Sequence, residues 1–130
     1  DYWNRLESTD MHEWKPEGAN KLDGNAVAKH LFEWDRFRRS MLSFIKEWDV
    51  IITPAAELPA LPHDANGGSI DYTLAYSLTG YPCGVVRAGT SADGMPIGVQ
   101  VVGQPWQDDV VLAVMREIEE KFGGWQAPSL

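Results

Sequence analysis

The stretch Gly94-Met95-Pro96-Ile97-Gly98-Val99-Gln100-Val101-Val102-Gly103 decides how this chain folds. Alternation from Ile97 onward puts Ile97, Val99 and Val101 on one side of a strand and Gly98, Gln100 and Val102 on the other. An interior glycine weakens a strand and marks a place where something approaches the backbone closely. Gly98 beside the single polar Gln100 therefore predicts a bare patch next to a buried amide. Asp93-Gly94 supplies turn chemistry immediately before it, and Gly84-Val85-Val86-Arg87-Ala88 lies upstream as a partner, which predicts an antiparallel hairpin.

Working outward, Val50-Ile51-Ile52-Thr53 is a short apolar run closed by Pro54, the pattern of a strand covered on both faces, with helices above and below a sheet. Before it, Val27, Leu31, Trp34, Phe37, Met41, Ile45 and Trp48 recur at steps of three and four, which predicts an amphipathic helix over residues 25–48. Its charged face reads as a solvated or subunit-facing surface. Pro54, Pro59, Pro62 and Asn66-Gly67-Gly68 make an extended loop. Ser69 is placed to cap a helix over 70–79, with Ile70, Leu74 and Leu78 aligned and Gly80 as its stop. A last helix over 109–122 has Asp108 as its expected cap, Val111, Met115, Ile118 and Phe122 as its stripe, and Gly123-Gly124 as its end. Residues 1–24 show no sustained period and read as an irregular N-terminal segment, with 25–130 forming one domain or part of one.

Composition narrows the function. The chain has 130 residues, 44% hydrophobic and 23% charged, which suits a globular core. A net charge of −8 opposes nucleic-acid phosphates and anionic lipid, so neither partner is expected. One cysteine, Cys83, allows no internal disulfide and no cysteine zinc site. No apolar run of membrane length and no signal peptide is seen. The expectation is a cytoplasmic protein without metal or cofactor. The first residue is Asp1 rather than Met, which reads as a piece of a longer protein or a processed start.

Spacing alone yields no complete catalytic set. Ser43 and Lys46 fit Ser-x-x-Lys, but Ser-Asp-Asn and Lys-Thr-Gly are absent. His12, His30 and His63 are scattered without ligand spacing. Cys83, in Tyr81-Pro82-Cys83-Gly84, suits a small buried residue at a strand entry better than a nucleophile. The glycine pairs lack the residues of a phosphate-binding loop. The six tryptophans suit core or interface packing.

An ordered series of pieces does carry a resemblance. Asp49-Val50-Ile51-Ile52-Thr53-Pro54, Tyr72-Thr73, Gly80-Tyr81-Pro82, Gly94-Met95-Pro96-Ile97-Gly98-Val99-Gln100, and Pro105-Trp106-Gln107-Asp108 leading into Val114-Met115-Arg116-Glu117-Ile118-Glu119 together resemble the C-terminal portion of amidase signature enzymes. Gly94, Pro96, Gly98 and Gln100 are the most specific part. The resemblance implies an α/β fold, a mixed β-sheet flanked by α-helices, in an enzyme that hydrolyses a carboxamide through an acyl-serine intermediate. It implies that the nucleophilic serine, its serine partner and the lysine lie upstream of this portion, so no catalytic residue is assigned here and the chain alone is expected to be inactive. Thr73, Tyr76, Tyr81, Cys83 and Val85 become expected pocket residues. The implied partners are the rest of the amidase chain or a second copy, with a small amide as substrate. Arg87 departs from the family pattern, where Pro is common, as does Ser77, where Asn is common. Ile70 stands where an amidotransferase subunit has its acidic residue, with Asp71 one position off, which favours simple amide hydrolysis. A non-catalytic binding or scaffold module of the same architecture is the alternative.

Overall fold

A computed structural model describes residues 22–64 and 69–127. It divides into two compact units, one through Glu33 and one from Trp34 onward. The elements are α1 (Gly24–Ile45), β1 (Val50–Pro54), α2 (Asp71–Thr79), β2 (Cys83–Thr90), β3 (Pro96–Gly103) and α3 (Asp108–Phe122). His12, residues 1–21 of the expected irregular segment and the Asn66-Gly67-Gly68 stretch lie outside the described residues.

The predicted hairpin is present. β3 is the central strand of a three-stranded sheet, order β1-β3-β2, and both of its pairings are antiparallel. Thus the parallel pairing of a mixed sheet is not found among the described residues, while the α/β class holds. Between the strands, Gly94 takes φ +82, a backbone conformation that costs a side-chain-bearing residue energy. Ser91 closes this turn by accepting the Met95 N–H on its hydroxyl at 3.1 Å. In register, Thr53, Gln100 and Val85 lie in one row across the sheet, and Ile51, Val102 and Cys83 in the next. Directly opposed residues share a face, so these six define one side.

On that side Ile45, Tyr81 and Val102 are buried together, with Met41, Ile51 and Tyr76 packed against them. The other side carries α3. Gly84 and Gly103 provide the clearance: a Cβ at Gly103 would stand 2.5 Å from Val111 Cγ2 and 3.3 Å from the Gln107 carbonyl oxygen. At Gly98 the close neighbour is the side chain of Val85, 2.7 Å from where a Cβ would sit. The bare patch is therefore filled from the adjacent strand, not by a helix or loop pressed on it.

Several boundaries and burials differ from the sequence expectation. α1 starts earlier because Asp23 caps it, its carboxylate accepting the Ala26 N–H at 2.7 Å. It stops at Ile45, leaving Trp48 outside. Of its apolar stripe only Ile45 is buried, while Leu31 and Trp34 are exposed. Among the described residues β1 is not covered on both faces: it pairs with β3 alone and leaves Ile52 53% exposed. For α2 the cap position is Ile70, not Ser69, whose hydroxyl accepts the Asp71 N–H instead. Its Ile70-Leu74-Leu78 stripe is exposed, and it turns Thr73, Ala75 and Tyr76 partly inward. For α3 the cap position is Gln107; Asp108 and Asp109 occupy the first turn, where carboxylates complement the helix dipole. The ion pairs Lys29–Glu33, Arg39–Asp35 and Arg116–Glu120 are i,i+4 pairs on exposed helix faces and add little stability.

The glycine clearances are directly testable. Gly103→Ala drives a methyl group into Val111 and a backbone carbonyl, so we expect a loss of about 1–3 kcal/mol in urea denaturation. Gly80→Ala, with nothing within 4 Å but φ +70, tests backbone strain alone and should cost about 1 kcal/mol. Equal stability of Gly103→Ala and the parent would remove α3 from this face of the sheet.

Candidate functional site

The centre of the site is the Gln100 amide. Gln100 is 2% exposed, and its Nε2 donates to the Tyr72 carbonyl at 3.1 Å and to Thr53 Oγ1 at 3.3 Å. A buried amide without partners costs about 1–3 kcal/mol, so the Tyr72 contact holds α2 against the sheet while the Thr53 contact joins β1 to the same amide. They fasten a helix to a sheet through a side chain. Trp34 adds a second tie, its indole N–H donating to the Leu78 carbonyl, one of the acceptors that a helix C-terminus leaves free. Gly80, at φ +70, ends α2 with its N–H on the Tyr76 carbonyl.

Around this centre lie the residues expected to line a pocket. Val85 stands opposite Gln100 and Cys83 opposite Val102. Tyr76 packs onto the Ile45–Tyr81–Val102 cluster. Thr73 is one helical turn before Tyr76, and its hydroxyl is engaged with the Ile70 carbonyl at 3.2 Å. The five thus adjoin one side of the sheet, but they do not line one enclosed cavity. Tyr81 borders a hollow of about 470 Å³ with Arg38, Thr79 and Trp106; Val85 borders another of about 1040 Å³ with Met115 and Trp125. Cys83 is exposed, not the small buried residue its context suggested. Val85 is 55% exposed. What the chain presents is an open wall.

The chemistry of the wall is apolar and neutral. Burial pushes the Tyr76 phenol above its ordinary value of 10.0, partly offset by the Thr53 hydroxyl beside it. Burial likewise raises Tyr81, partly offset by the charge of Arg38. The Tyr81 hydroxyl is buried and has no hydrogen-bond partner among the described residues. Ser43 and Lys46, both exposed, form no part of this side. His30 is exposed beside Glu33, at 3.8 Å, and the described residues contain no cluster of three metal-binding side chains.

Sequence reasoning missed Trp106, which is 95% exposed and carries a positive φ of 68, a strained conformation for a bulky residue. Pro105 before it was the available signal. It also missed the work of Arg87, whose guanidinium bonds to the end of α3. No helix among the described residues is long and apolar enough to cross a membrane.

A small antiparallel sheet with one helix packed on its back and a polar-tethered helix on its front defines an α/β architecture. The chain belongs to the Amidase family, whose model matches residues 6–112, including part of the stretch the sequence pattern alone leaves unassigned. It is 35% identical over 91 residues to the fatty acid amide hydrolase of Arabidopsis thaliana, covering 61% of this chain and 15% of that protein. It is 30% identical over 97 residues to human fatty-acid amide hydrolase 2, covering 72% of this chain and 18% of that one. A crystal structure of an amidase superposes with a TM-score of 0.71 at 25% identity, over 92% of this chain and 32% of the other. The 6-aminohexanoate cyclic dimer hydrolase complexed with substrate gives 0.68 at 24%, over 80% and 26%. The chain therefore spans less than a fifth of the length of these two curated relatives.

Two measurements check the wall. Tyr81→Phe removes a buried hydroxyl that has nothing to bond, so stability should hold or rise by up to about 1 kcal/mol. The pH dependence follows from the raised phenols. Both stay neutral in the fold while the unfolded chain ionises near 10.0, so stability is intact below that pH and falls as pH rises past it. Denaturation across this range should show a shallower fall in Tyr81→Phe; a steeper one contradicts a buried neutral phenol.

Proposed function

We propose that this chain contributes the C-terminal wall of an amide hydrolase, whose complete active site cleaves a carboxamide through an acyl-serine intermediate. The observation that carries this reading is the Gln100 tether on the Gly94–Gln100 motif, which fastens α2 to the side of the sheet on which Cys83 and Val85 lie exposed. Thr73, Tyr76, Tyr81, Cys83 and Val85 are the residues that would meet the acyl part of the substrate, because they are apolar or neutral and adjoin one side of the sheet. The similarity to fatty acid amide hydrolases supports a substrate with an apolar acyl group; Val85 and Tyr76 suit such a group by contact and area burial.

None of the acyl-transfer chemistry is assigned to the described residues. A serine nucleophile needs a neighbouring base and donors for the oxyanion, and the wall offers bonded hydroxyls, two phenols that burial holds neutral and one exposed thiol, at Cys83. The remainder of the enzyme would supply those groups, and either it or a second copy would cover the exposed Ile52, Leu74 and Leu78. The Ile70-Asp71 pair, with no acid at position 70, favours plain hydrolysis over an amidotransferase role. A cytoplasmic setting, without metal or cofactor, is part of the same proposal.

The test is a purified preparation of the 130 residues offered a nitrophenyl ester and an anilide. We expect no turnover above background. Activity that survives repurification and disappears in Ser43→Ala or Cys83→Ala would assign the chemistry to this chain and overturn the proposal. If the chain is instead a free-standing binding module, light scattering will give a monomer at high concentration that binds no hydrophobic dye.

A further inference from the structure

Arg87 is the feature of the fold that the proposed function does not use. It sits at a register shift in β2, between Arg87 and Gly89, and its guanidinium spreads over four acceptors. Nη1 donates to the carbonyls of Phe122, at 3.3 Å, and Gly124, at 3.1 Å. Nη2 donates to Thr90 Oγ1, at 2.6 Å, and to Gln126 Oε1, at 3.2 Å. Thr90 aims the guanidinium from its own strand; the other three acceptors belong to the end of α3 and the segment after it. Among the described residues, every hydrogen bond from residues 123–127 to the hairpin runs through this one side chain.

The segment has a hinge as well as a catch. Gly123 and Gly124 take φ +81 and +60 in succession, a pair of left-handed positions at which glycine turns the chain without steric cost. Beyond them Gly124, Trp125 and Gln126 form one wall of the hollow of about 1040 Å³ whose other walls include Val85, Met95, Leu112 and Met115. Trp125 remains 77% exposed, so apolar burial contributes little to holding it there and the guanidinium carries the attachment.

We propose that residues 123–127 are a strap that closes the hollow between the hairpin and α3, with Gly123-Gly124 as its hinge and Arg87 as its catch. Arg87 is a positioning residue: it holds a carbonyl-rich segment in place and leaves the hollow accessible when that hold is lost. Lysine cannot replace it, because a single ammonium does not span acceptors on both sides of a planar fork.

Two rates read the strap by mass spectrometry on the whole chain: tryptic cleavage after Lys121, which the held segment protects, and peroxide oxidation of Met115 inside the hollow, with Met41 as the reference. Arg87→Leu should raise cleavage by about tenfold and speed Met115 oxidation several-fold, leaving Met41 and the far-ultraviolet circular dichroism unchanged. Arg87→Lys should behave like Arg87→Leu. Parent-like rates for both reactions in Arg87→Leu overturn the proposal. Should Arg87→Leu fail to fold, Thr90→Val combined with Gln126→Ala removes two acceptors from exposed positions. A smaller increase in both rates is then expected, and unchanged rates overturn the strap equally.

Discussion

One buried amide organises the front of this molecule. Gln100 lies on the central strand with 2% of its surface exposed, and its two hydrogen bonds, to Thr53 and to the Tyr72 carbonyl, join an edge strand, the central strand and α2. Apolar contact cannot do this alone here, because the described residues bury few large side chains: Ile45, Val101 and Val102 are the largest fully enclosed ones. Each contributes about 1.5–3 kcal/mol, a thin core for this length of chain. Hydrophobic burial is also non-directional, whereas an amide with a desolvation penalty fixes one position. The placement of Thr73 and Tyr76 follows from that fixed position.

The back of the sheet is organised by clearance instead of by polarity. Gly103 lets α3 approach to van der Waals distance at Val111, and the αL glycines at Gly80 and Gly123 end the two helices where the chain must turn. The front carries the polar tether, and the back carries the close packing of α3.

Much of this was legible in the residues. The period-two pattern of β3, the Gly94 turn, the hairpin partner and the stripe and glycine stop of α3 are local signals, and local physics decides them. The buried Gln100 was legible too, because a lone polar residue in an apolar alternation must find partners. What the residues could not convey was exposure. Val50-Ile51-Ile52 reads as a strand covered on both faces, yet among the described residues Ile52 is left 53% exposed, and the Ile70-Leu74-Leu78 stripe reads as inward, yet it faces out. Periodicity reports that a surface is apolar, not what covers it. Cys83 fails the same way: its neighbours suggest burial, and its row on the sheet leaves it open. Trp106 had a local signal in Pro105, whereas the reach of Arg87 across 35 residues to Phe122 depends on a tertiary contact that no window of sequence contains.

The most direct test of this account is amide hydrogen exchange, element by element, in Gln100→Leu, which keeps the volume of the side chain and removes its donors. Loss of the tether predicts that α2 and β1 lose protection first, by about tenfold or more, while the β2–β3 hairpin and α3 exchange as in the parent. Uniform loss across all elements, or α2 amides as protected as before, would contradict the claim that one amide holds the front of the sheet in place.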